Sequence, residues 1–363
     1  MAPIKNGRVL FNEVPSGLPM FHVGYPVPGR TTVYDVSQTI DLDTVPLNGS
    51  VLIKVLVVSI DPYLRGRMRA PEVESYSPPF ALHQPLHNHG IGVILRTDSS
   101  NPAFEPGTHI YGLLDFAEYF IPSIDRLKRF VALKTLLDNP SILPWSAYVG
   151  VAGMPGQTAV YGWRAYADPK PNEVVFVTTA GGPVGSMVIQ LAKKAGCKVI
   201  ASAGSDAKVA FAKSVGADVA FNYKEQDTAE VLKREGPVDI YWEHVGGSTF
   251  DAFLGNAANH ARVIVCGMIT AYNDSTGNGV NMKNLISFLS KRIHLHGFLV
   301  GEVGAKHPEY VTEFYAEIPK QLASGELKWA EDVSHGLELA GEAILEVQEG
   351  RNTAKKVIVI AKE

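Results

Sequence analysis

The chain has 363 residues, a formal net charge of −4 at pH 7 and a sequence pI near 6.3. This mild acidity gives no reason to expect a nucleic acid or an anionic membrane as a partner. The two cysteines are too few for a disulfide framework and are typical of a reducing compartment. The N-terminal residues lack the apolar core of a signal peptide, and no apolar run has membrane-spanning length. We therefore predict a cytoplasmic protein that binds neither nucleic acid nor membrane.

Short strands and turns dominate the first 147 residues. Apolar runs at 51–60 and 90–95 predict two strands, and a Pro-Gly turn at 106–107 leads into a third. Long helical patterns are scarce in this part of the chain. The pattern favours an antiparallel, barrel-like domain.

Strands and helices alternate from residue 148 to about 327, which is typical of a doubly wound parallel sheet. The predicted strands are 174–177, 199–201, 219–221, 240–242, 262–266 and 293–298. The predicted helices after the first strand–helix–strand unit are 208–214, 228–234, 249–257 and 284–291. A helical piece (336–349) and a strand (356–360) remain, and we expect this tail to return to the first domain. The predicted domains are thus 1–147 with 328–363, and 148–327.

A glycine turn, AGGPVG at 180–185, joins the first strand and helix of the second domain. Gly182 lets the backbone approach a pyrophosphate, and Gly185 lets the helix pack closely on the strand. The N-terminus of the helix offers N–H groups and a positive dipole end to phosphates. Ala180 stands where the usual fingerprint has its first glycine, so the turn alone also fits an ordinary α/β protein. The flanking strand–helix–strand pattern favours a dinucleotide site.

The residues after the second strand indicate which dinucleotide is bound. An NAD site has Asp or Glu there to bind the ribose 2′-hydroxyl. This chain has the small residues AGS at 203–205, followed by Asp206 and Lys208. Small side chains and a nearby cation suit a 2′-phosphate, so NADP(H) is the predicted cofactor, although Asp206 favours NAD.

Several linked stretches resemble the zinc-independent medium-chain dehydrogenase/reductases, above all their alkenal double-bond reductases and prostaglandin reductases (leukotriene 12-hydroxydehydrogenases). The stretches are SIDPYLR (59–65), GMPGQTA (153–159), AGSDAK (203–208), FNYK (221–224), VGG (245–247) and CGMITAYN (266–273). Their order and spacing cover nearly the whole chain. The resemblance implies a GroES-like, antiparallel barrel-like substrate domain, a doubly wound Rossmann domain, NADP(H) and a homodimer.

The resemblance also implies roles for individual residues. Tyr63 and Tyr272 would be the catalytic pair in the substrate pocket, with Tyr272 nearest the reacting carbonyl. Buried aromatic packing is the alternative reading of both tyrosines. Lys208 and Tyr223 would contact the 2′-phosphate. The cofactor contacts that the resemblance implies are Gly182, Val184, Gly185, Gly204, Lys208, Tyr223, Cys266 and Asn352.

The chain departs from the family pattern at two places near the predicted site. His244 stands where the family has Asn, at the end of a predicted strand where it either contacts the cofactor or serves the fold. Ala354 replaces a glycine of the tail motif that contains Asn352.

A zinc site is not expected. A catalytic zinc needs three protein ligands and a structural zinc needs four close cysteines, but both cysteines lie in the second domain. Closely spaced histidines, His83, His87 and His89, could bind a metal, but a polar loop is the simpler reading.

Without a metal, the resemblance implies an enzyme of conjugate reduction. It would reduce the C=C bond of a small α,β-unsaturated aldehyde or ketone with NADPH, by hydride transfer to the β-carbon and protonation of the enolate. A zinc-independent NADPH:quinone reductase and a non-catalytic NADPH-binding protein are the alternatives, and a zinc alcohol dehydrogenase is a distant fourth.

Overall fold

The computed structural model describes residues 2–15, 24–100, 102–273 and 282–363. The chain divides into two compact units. Unit 1 comprises Met1–Gly150 and Glu331–Glu363, and unit 2 comprises Val151–Ala330. No helix in the described ranges is long and apolar enough to cross a membrane.

Unit 1 is built on an antiparallel sheet. Its strands are β1 Ile4–Lys5, β2 Arg8–Phe11, β3 Thr32–Asp35, β4 Thr39–Ile40, β5 Val51–Ser59, β6 His87–Thr97, β7 His109–Asp115, β8 Tyr119–Phe120, β9 Val131–Ala132, β16 Glu331–His335 and β17 Lys355–Val359. Seven of them form one sheet, in the order β16-β17-β5-β6-β7-β9 with β8 paired to β5. Only its β16–β17 pair is parallel.

The long apolar strand β5 is buried almost throughout, which its continuous apolar sequence requires. The core of unit 1 gathers around β5 and β6 and includes Val55, Ile94 and Ile358. The α-helices of unit 1 are α1 Leu64–Arg67, α2 Ile124–Leu127, α3 Leu133–Leu136 and α13 Ala340–Glu349. Its 3-10 turns are Pro102–Phe104, Pro140–Ile142, Trp145–Val149 and Leu337–Leu339.

Unit 2 is a parallel sheet with helices between its strands. The strands are β10 Val174–Val177, β11 Lys198–Ala203, β12 Val219–Asn222, β13 Val238–Glu243, β14 Ala257–Val265 and β15 His294–Gly297. The helices are α4 Met154–Tyr166, α5 Pro183–Lys194, α6 Asp206–Ser214, α7 Thr228–Glu235, α8 Gly247–Asn256, α9 Ile269–Tyr272, α10 Ser287–Ser290, α11 Val300–Lys306 and α12 Pro308–Ser324.

The strand order in unit 2 is β12-β11-β10-β13-β14-β15, and every neighbouring pair is parallel. This is the doubly wound Rossmann order, in which the chain reverses direction across the sheet between β10 and β13. The predicted fold class, an antiparallel sheet domain with a doubly wound parallel domain, is confirmed.

One predicted helix is much shorter in the structure. The segment 284–291 was expected to be helical, but α10 covers only Ser287–Ser290. The backbone N–H of Asn284 donates to Asp251 Oδ1 at 2.8 Å, and its amide donates to Asp251 Oδ2 at 3.0 Å. These bonds anchor Asn284 to α8, so the helical turn begins after it.

Candidate cofactor and substrate site

The turn between β10 and α5 leaves room only for glycine at its closest approach. Gly182 donates its N–H to the Thr179 carbonyl at 2.9 Å and caps α5. A Cβ on Gly185 would lie 2.6 Å from the same oxygen, so glycine allows α5 to start against the turn. Pro183 takes the first helical position, where its missing N–H costs little. Val184 follows in the first turn of α5 and is half-buried.

The first N–H groups of α5 have no partner within the helix. They lie at the carboxyl end of β10, at the point where the strand order reverses, which is where open α/β sheets bind nucleotides. The turn therefore fits the pyrophosphate of a dinucleotide.

The two side chains predicted to contact a 2′-phosphate each pack against a glycine, Lys208 against Gly181 of this turn and Tyr223 against Gly204 after β11. A Cβ on Gly181 would lie 2.8 Å from Cγ of Lys208, so the stem of the lysine packs against the turn. A Cβ on Gly204 would lie 3.0 Å from the Tyr223 hydroxyl, so the ring of Tyr223 covers that glycine. Tyr223 is 51% exposed. Unit 2 thus places a cation, a phenol and two glycines after the neighbouring strands β10, β11 and β12.

Asp206 is engaged within the protein. The amide of Asn222 donates to Asp206 Oδ1 at 3.3 Å, and Asn222 Oδ1 accepts from the Lys224 N–H at 3.2 Å. Asp206 also lies in the first turn of α6, where the helix dipole stabilises a carboxylate. This one bond leaves other acceptor positions on the carboxylate, so Asp206 still favours NAD while Lys208 favours NADP(H).

Tyr272 lies near the carboxyl end of β14. The short helix α9 turns back, so that a Cβ on Gly267 would lie 2.9 Å from the Tyr272 hydroxyl. The phenol therefore packs directly against Gly267. Next to it, burial raises the pKa of the Cys266 thiol to about 12. The Cys266 thiol is accordingly protonated at neutral pH.

The buried Glu243 shapes the loop that follows β13. Its Oε1 accepts hydrogen bonds from the backbone N–H groups of Val245 and Gly246. Burial raises the pKa of Glu243 above its ordinary value despite these bonds. The carbonyl of Glu243 also accepts the N–H of Cys266 at 2.9 Å, so one residue organises the ends of β13 and β14.

Tyr63 belongs to a buried polar network in unit 1. Its hydroxyl donates to Asn88 Oδ1. The amide of Asn88 donates to the Ser59 carbonyl at 2.8 Å and to Asp61 Oδ2 at 2.9 Å. Lys355 donates to the other oxygen of Asp61 at 2.7 Å. Both donors of the Asn88 amide are thus used, which leaves its oxygen to hold Tyr63.

Charge within this network is balanced. Burial alone would raise the pKa of Asp61, but the Lys355 ammonium and the hydrogen bonds from Ser59 and Asn88 hold it below its ordinary value. Burial raises the pKa of Tyr63 well above its ordinary value, so the phenol stays protonated. Asn88, which lies between two of the clustered histidines, was not among the predicted site residues. In the sequence, Asn88 is a polar residue just before the predicted strand 90–95. In the structure it lies on β6 and is fully buried.

Asn352 lies in unit 1, in the turn between α13 and β17. Its side-chain amide donates to the Ala354 carbonyl at 2.7 Å, so part of its hydrogen-bonding capacity serves its own turn. Tyr63 and Asn352 are the predicted site residues of unit 1, and the others lie in unit 2.

The clustered histidines have separate surroundings. The Nε2 atom of His87 lies 2.6 Å from the Arg67 guanidinium. The His89 ring stacks on Tyr111 with centroids 5.5 Å apart, and His83 is exposed. In the described part of the chain, no group of three His, Cys, Asp or Glu side chains could hold a metal ion. These donors do not fit zinc.

Burial lowers the pKa of His89 to about 4. Because an unfolded histidine takes up its proton near pH 6.5, the folded state loses stability as the pH falls below that value. The free energy of unfolding of the wild type should fall as the pH is lowered from about 7.5 to about 5. In His89→Phe this fall should be smaller by about 1–2 kcal/mol. Urea unfolding at both pH values measures this, and the exposed His83→Ala is the control. An unchanged pH dependence in His89→Phe would contradict the assignment of a neutral His89.

Comparisons with known proteins agree with this architecture. Residues 183–317 match the family model of zinc-binding dehydrogenases, and residues 34–130 match that of the N-terminal domain of oxidoreductases. An NADP(+)-dependent 2-alkenal reductase of Nicotiana tabacum is 40% identical over 94% of this chain and 95% of its own length. The (+)-pulegone reductase of Mentha piperita is 36% identical over 87% of this chain and 89% of its own.

A solved structure has the same fold over nearly the whole chain. CurA from Vibrio vulnificus, crystallised in complex with NADPH, is 30% identical, with a TM-score of 0.84 over 98% of this chain and 100% of that chain. Together, these matches confirm the resemblance inferred from the motifs. The chain therefore belongs to the medium-chain dehydrogenase/reductase family, among relatives that include 2-alkenal and pulegone reductases.

Proposed function

We propose that this protein is an NADPH-dependent reductase of the C=C bond of α,β-unsaturated aldehydes and ketones. One arrangement in unit 2 carries the proposal. Lys208 packs against the glycine turn, Tyr223 packs against Gly204 after the neighbouring strand β11, and the Tyr272 hydroxyl lies by the end of β14 in the same sheet. The relatives named as an NADP(+)-dependent 2-alkenal reductase and a pulegone reductase support the same chemistry.

Residues of this chain fit the cofactor. Lys208 supplies a cation and Tyr223 a hydroxyl for the 2′-phosphate, as charge-assisted hydrogen bonds to phosphate require. We assign the pyrophosphate to the glycine turn, at Gly182, Val184 and Gly185. We assign further contacts with the cofactor to Gly204, Cys266 and Asn352. When bound, NADPH supplies the hydride that adds to the β-carbon of the substrate.

Tyr272 is assigned the electrostatic role. As the β-carbon gains hydrogen, negative charge develops on the carbonyl oxygen, and a preorganised hydrogen bond stabilises it. A phenol hydroxyl can donate that bond. The α-carbon takes its proton from Tyr272 or from water.

Tyr63 is assigned a positioning role in the substrate pocket. Its hydrogen is already donated to Asn88, so the phenol offers the substrate an aromatic face and an acceptor oxygen. The guanidinium of Arg67 on α1 is held by backbone carbonyls and an aromatic ring. Arg67 donates to the carbonyls of Pro78 and His87 at 3.2 and 3.1 Å, and it lies 4.0 Å from the centroid of the Phe80 ring. These contacts fix the Arg67 side chain within unit 1.

NADPH oxidation with a medium-chain 2-alkenal, followed by mass identification of the product, tests the proposal. NADH, a saturated aldehyde and a quinone are assayed in parallel. We expect the saturated aldehyde as the product and a strong preference for NADPH. An allylic alcohol as the product, or turnover with the quinone alone, would contradict conjugate reduction and favour a carbonyl or quinone reductase.

We also propose that the protein is a cytoplasmic homodimer. β15 is an edge strand of the unit 2 sheet. The outer backbone N–H and C=O groups of an edge strand can pair with another chain. Large exposed apolar side chains lie next to it and on it, and such patches mark interfaces. They are Leu285, Ile286, Leu289, Leu295 and Leu299. A second copy paired through β15 would cover both features. Light scattering would give twice the chain mass of 39.3 kDa, and a monomer mass would contradict pairing.

A further inference from the structure

His244 joins the two central strands of unit 2. It follows β13, and both its backbone and its ring contact Thr178, which follows β10. The His244 N–H donates to Thr178 Oγ1 at 3.0 Å, and its Nδ1 lies 2.9 Å from the Thr178 carbonyl oxygen. These contacts lie where the strand order reverses.

The second ring nitrogen defines the tautomer. Trp242 donates its indole N–H to His244 Nε2 at 3.1 Å. Because an indole nitrogen is a donor only, Nε2 accepts and is unprotonated. Nδ1 therefore carries the hydrogen and donates it to the Thr178 carbonyl. The ring is neutral, in agreement with burial that lowers the pKa of His244 to about 4. Both ring nitrogens are occupied, so His244 has no free atom for acid–base chemistry.

Thr178 leads directly into the glycine turn. The next residue, Thr179, has φ of +50°, a left-handed conformation that threonine rarely adopts. Its carbonyl accepts the Gly182 N–H at 2.9 Å, and Gly185 packs against the same oxygen. A shift of the Thr178 carbonyl would rotate the peptide between Thr178 and Thr179 and so move the Thr179 carbonyl oxygen. The start of α5 contacts that oxygen through Gly182 and Gly185.

We propose that His244 is a positioning residue for the dinucleotide, acting through Thr178. Its Nδ1–H fixes the Thr178 carbonyl, which holds the strained Thr179 turn and the N-terminus of α5 ready for the pyrophosphate. The inference rests on the cofactor site of the proposed function. It concerns binding alone and needs no particular substrate.

Two amide variants separate the ring nitrogens. Asn places its Nδ2 where Nδ1 of histidine stands, and Gln places its amide where Nε2 stands. We expect His244→Gln to raise the Kd for NADPH about tenfold, because the bond to Thr178 is lost. We expect His244→Asn to keep Kd within about threefold of the wild type, because that bond is retained. Isothermal titration of NADPH, without substrate, measures both values.

Equal weakening in both variants, or wild-type affinity in His244→Gln, would overturn the proposal. Should His244→Gln fail to fold, nitrogen NMR of histidine-labelled wild-type protein replaces it. We expect the signals of one histidine ring with a protonated Nδ1 and an unprotonated Nε2. These signals should be missing in His244→Asn and should shift when NADPH is added to the wild type. The opposite tautomer, or a signal that saturating NADPH leaves unmoved, would overturn the proposal. A wild-type protein that binds NADPH but reduces no enal would contradict the proposed function and leave this inference standing.

Discussion

Replacing Tyr272 by Phe is expected to lower kcat for 2-alkenal reduction about 100-fold, the usual cost of removing one preorganised donor to a developing oxyanion. The hydroxyl lies against Gly267 at the end of β14, and β13 separates this strand from β10, which leads into the turn that we assign to the phosphates. The Kd for NADPH should therefore stay within about twofold of the wild type, since the variant removes an interaction made in the transition state. Steady-state kinetics and NADPH titration measure the two quantities.

Tyr310→Phe is the matched control for this variant. Tyr310 lies on α12, where its ring stacks on His307 with centroids 4.6 Å apart. Tyr310 is half-buried in unit 2, and loss of its hydroxyl should leave kcat within about twofold because its contacts are made by the ring. If Tyr272→Phe reduces the alkenal as fast as the control, Tyr272 is not the donor to the carbonyl oxygen.

Lys208→Ala is expected to raise the Kd for NADPH about 50-fold and to leave the Kd for NADH nearly unchanged. A hydrogen bond to a charged group contributes about 1.5–3 kcal/mol, and the alanine removes both the cation and its donors. Only NADPH carries the 2′-phosphate, so the two cofactors should respond differently. Titration of each cofactor against the variant gives the ratio.

Lys213→Ala provides a control on the same helix, because Lys213 is exposed in the last turn of α6. It removes the same charge from the protein and should leave both affinities unchanged within about twofold. An equal loss of NADPH and NADH affinity in Lys208→Ala would mean that the lysine supports the turn through its stem alone.

The sequence predicts the fold well because the fold depends on local patterns. The alternation of strands and helices after residue 148 predicts a doubly wound sheet, and the glycine turn identifies its first crossover. Both signals come from backbone requirements that one stretch of chain can satisfy. The predicted helix 284–291 was too long because Asn284 is hydrogen-bonded to Asp251, a residue 33 positions earlier.

The side-chain networks could not be predicted, since they depend on strands that are distant in sequence. Asn88 reaches Ser59 and Asp61 because β6 pairs with β5, and Lys355 reaches Asp61 because β17 lies on the other side of β5. In the same way, the role of His244 depends on Thr178 from the neighbouring strand. A motif names such residues but does not give their partners.

The position of the transferred hydrogen tests the central claim most directly. The enzyme would be given a 2-alkenal and NADPH deuterated at the transferring position of nicotinamide C4, and the product would be examined by NMR. We predict deuterium on the β-carbon of a saturated aldehyde. Deuterium on the former carbonyl carbon, in an alcohol that keeps its double bond, would contradict the account.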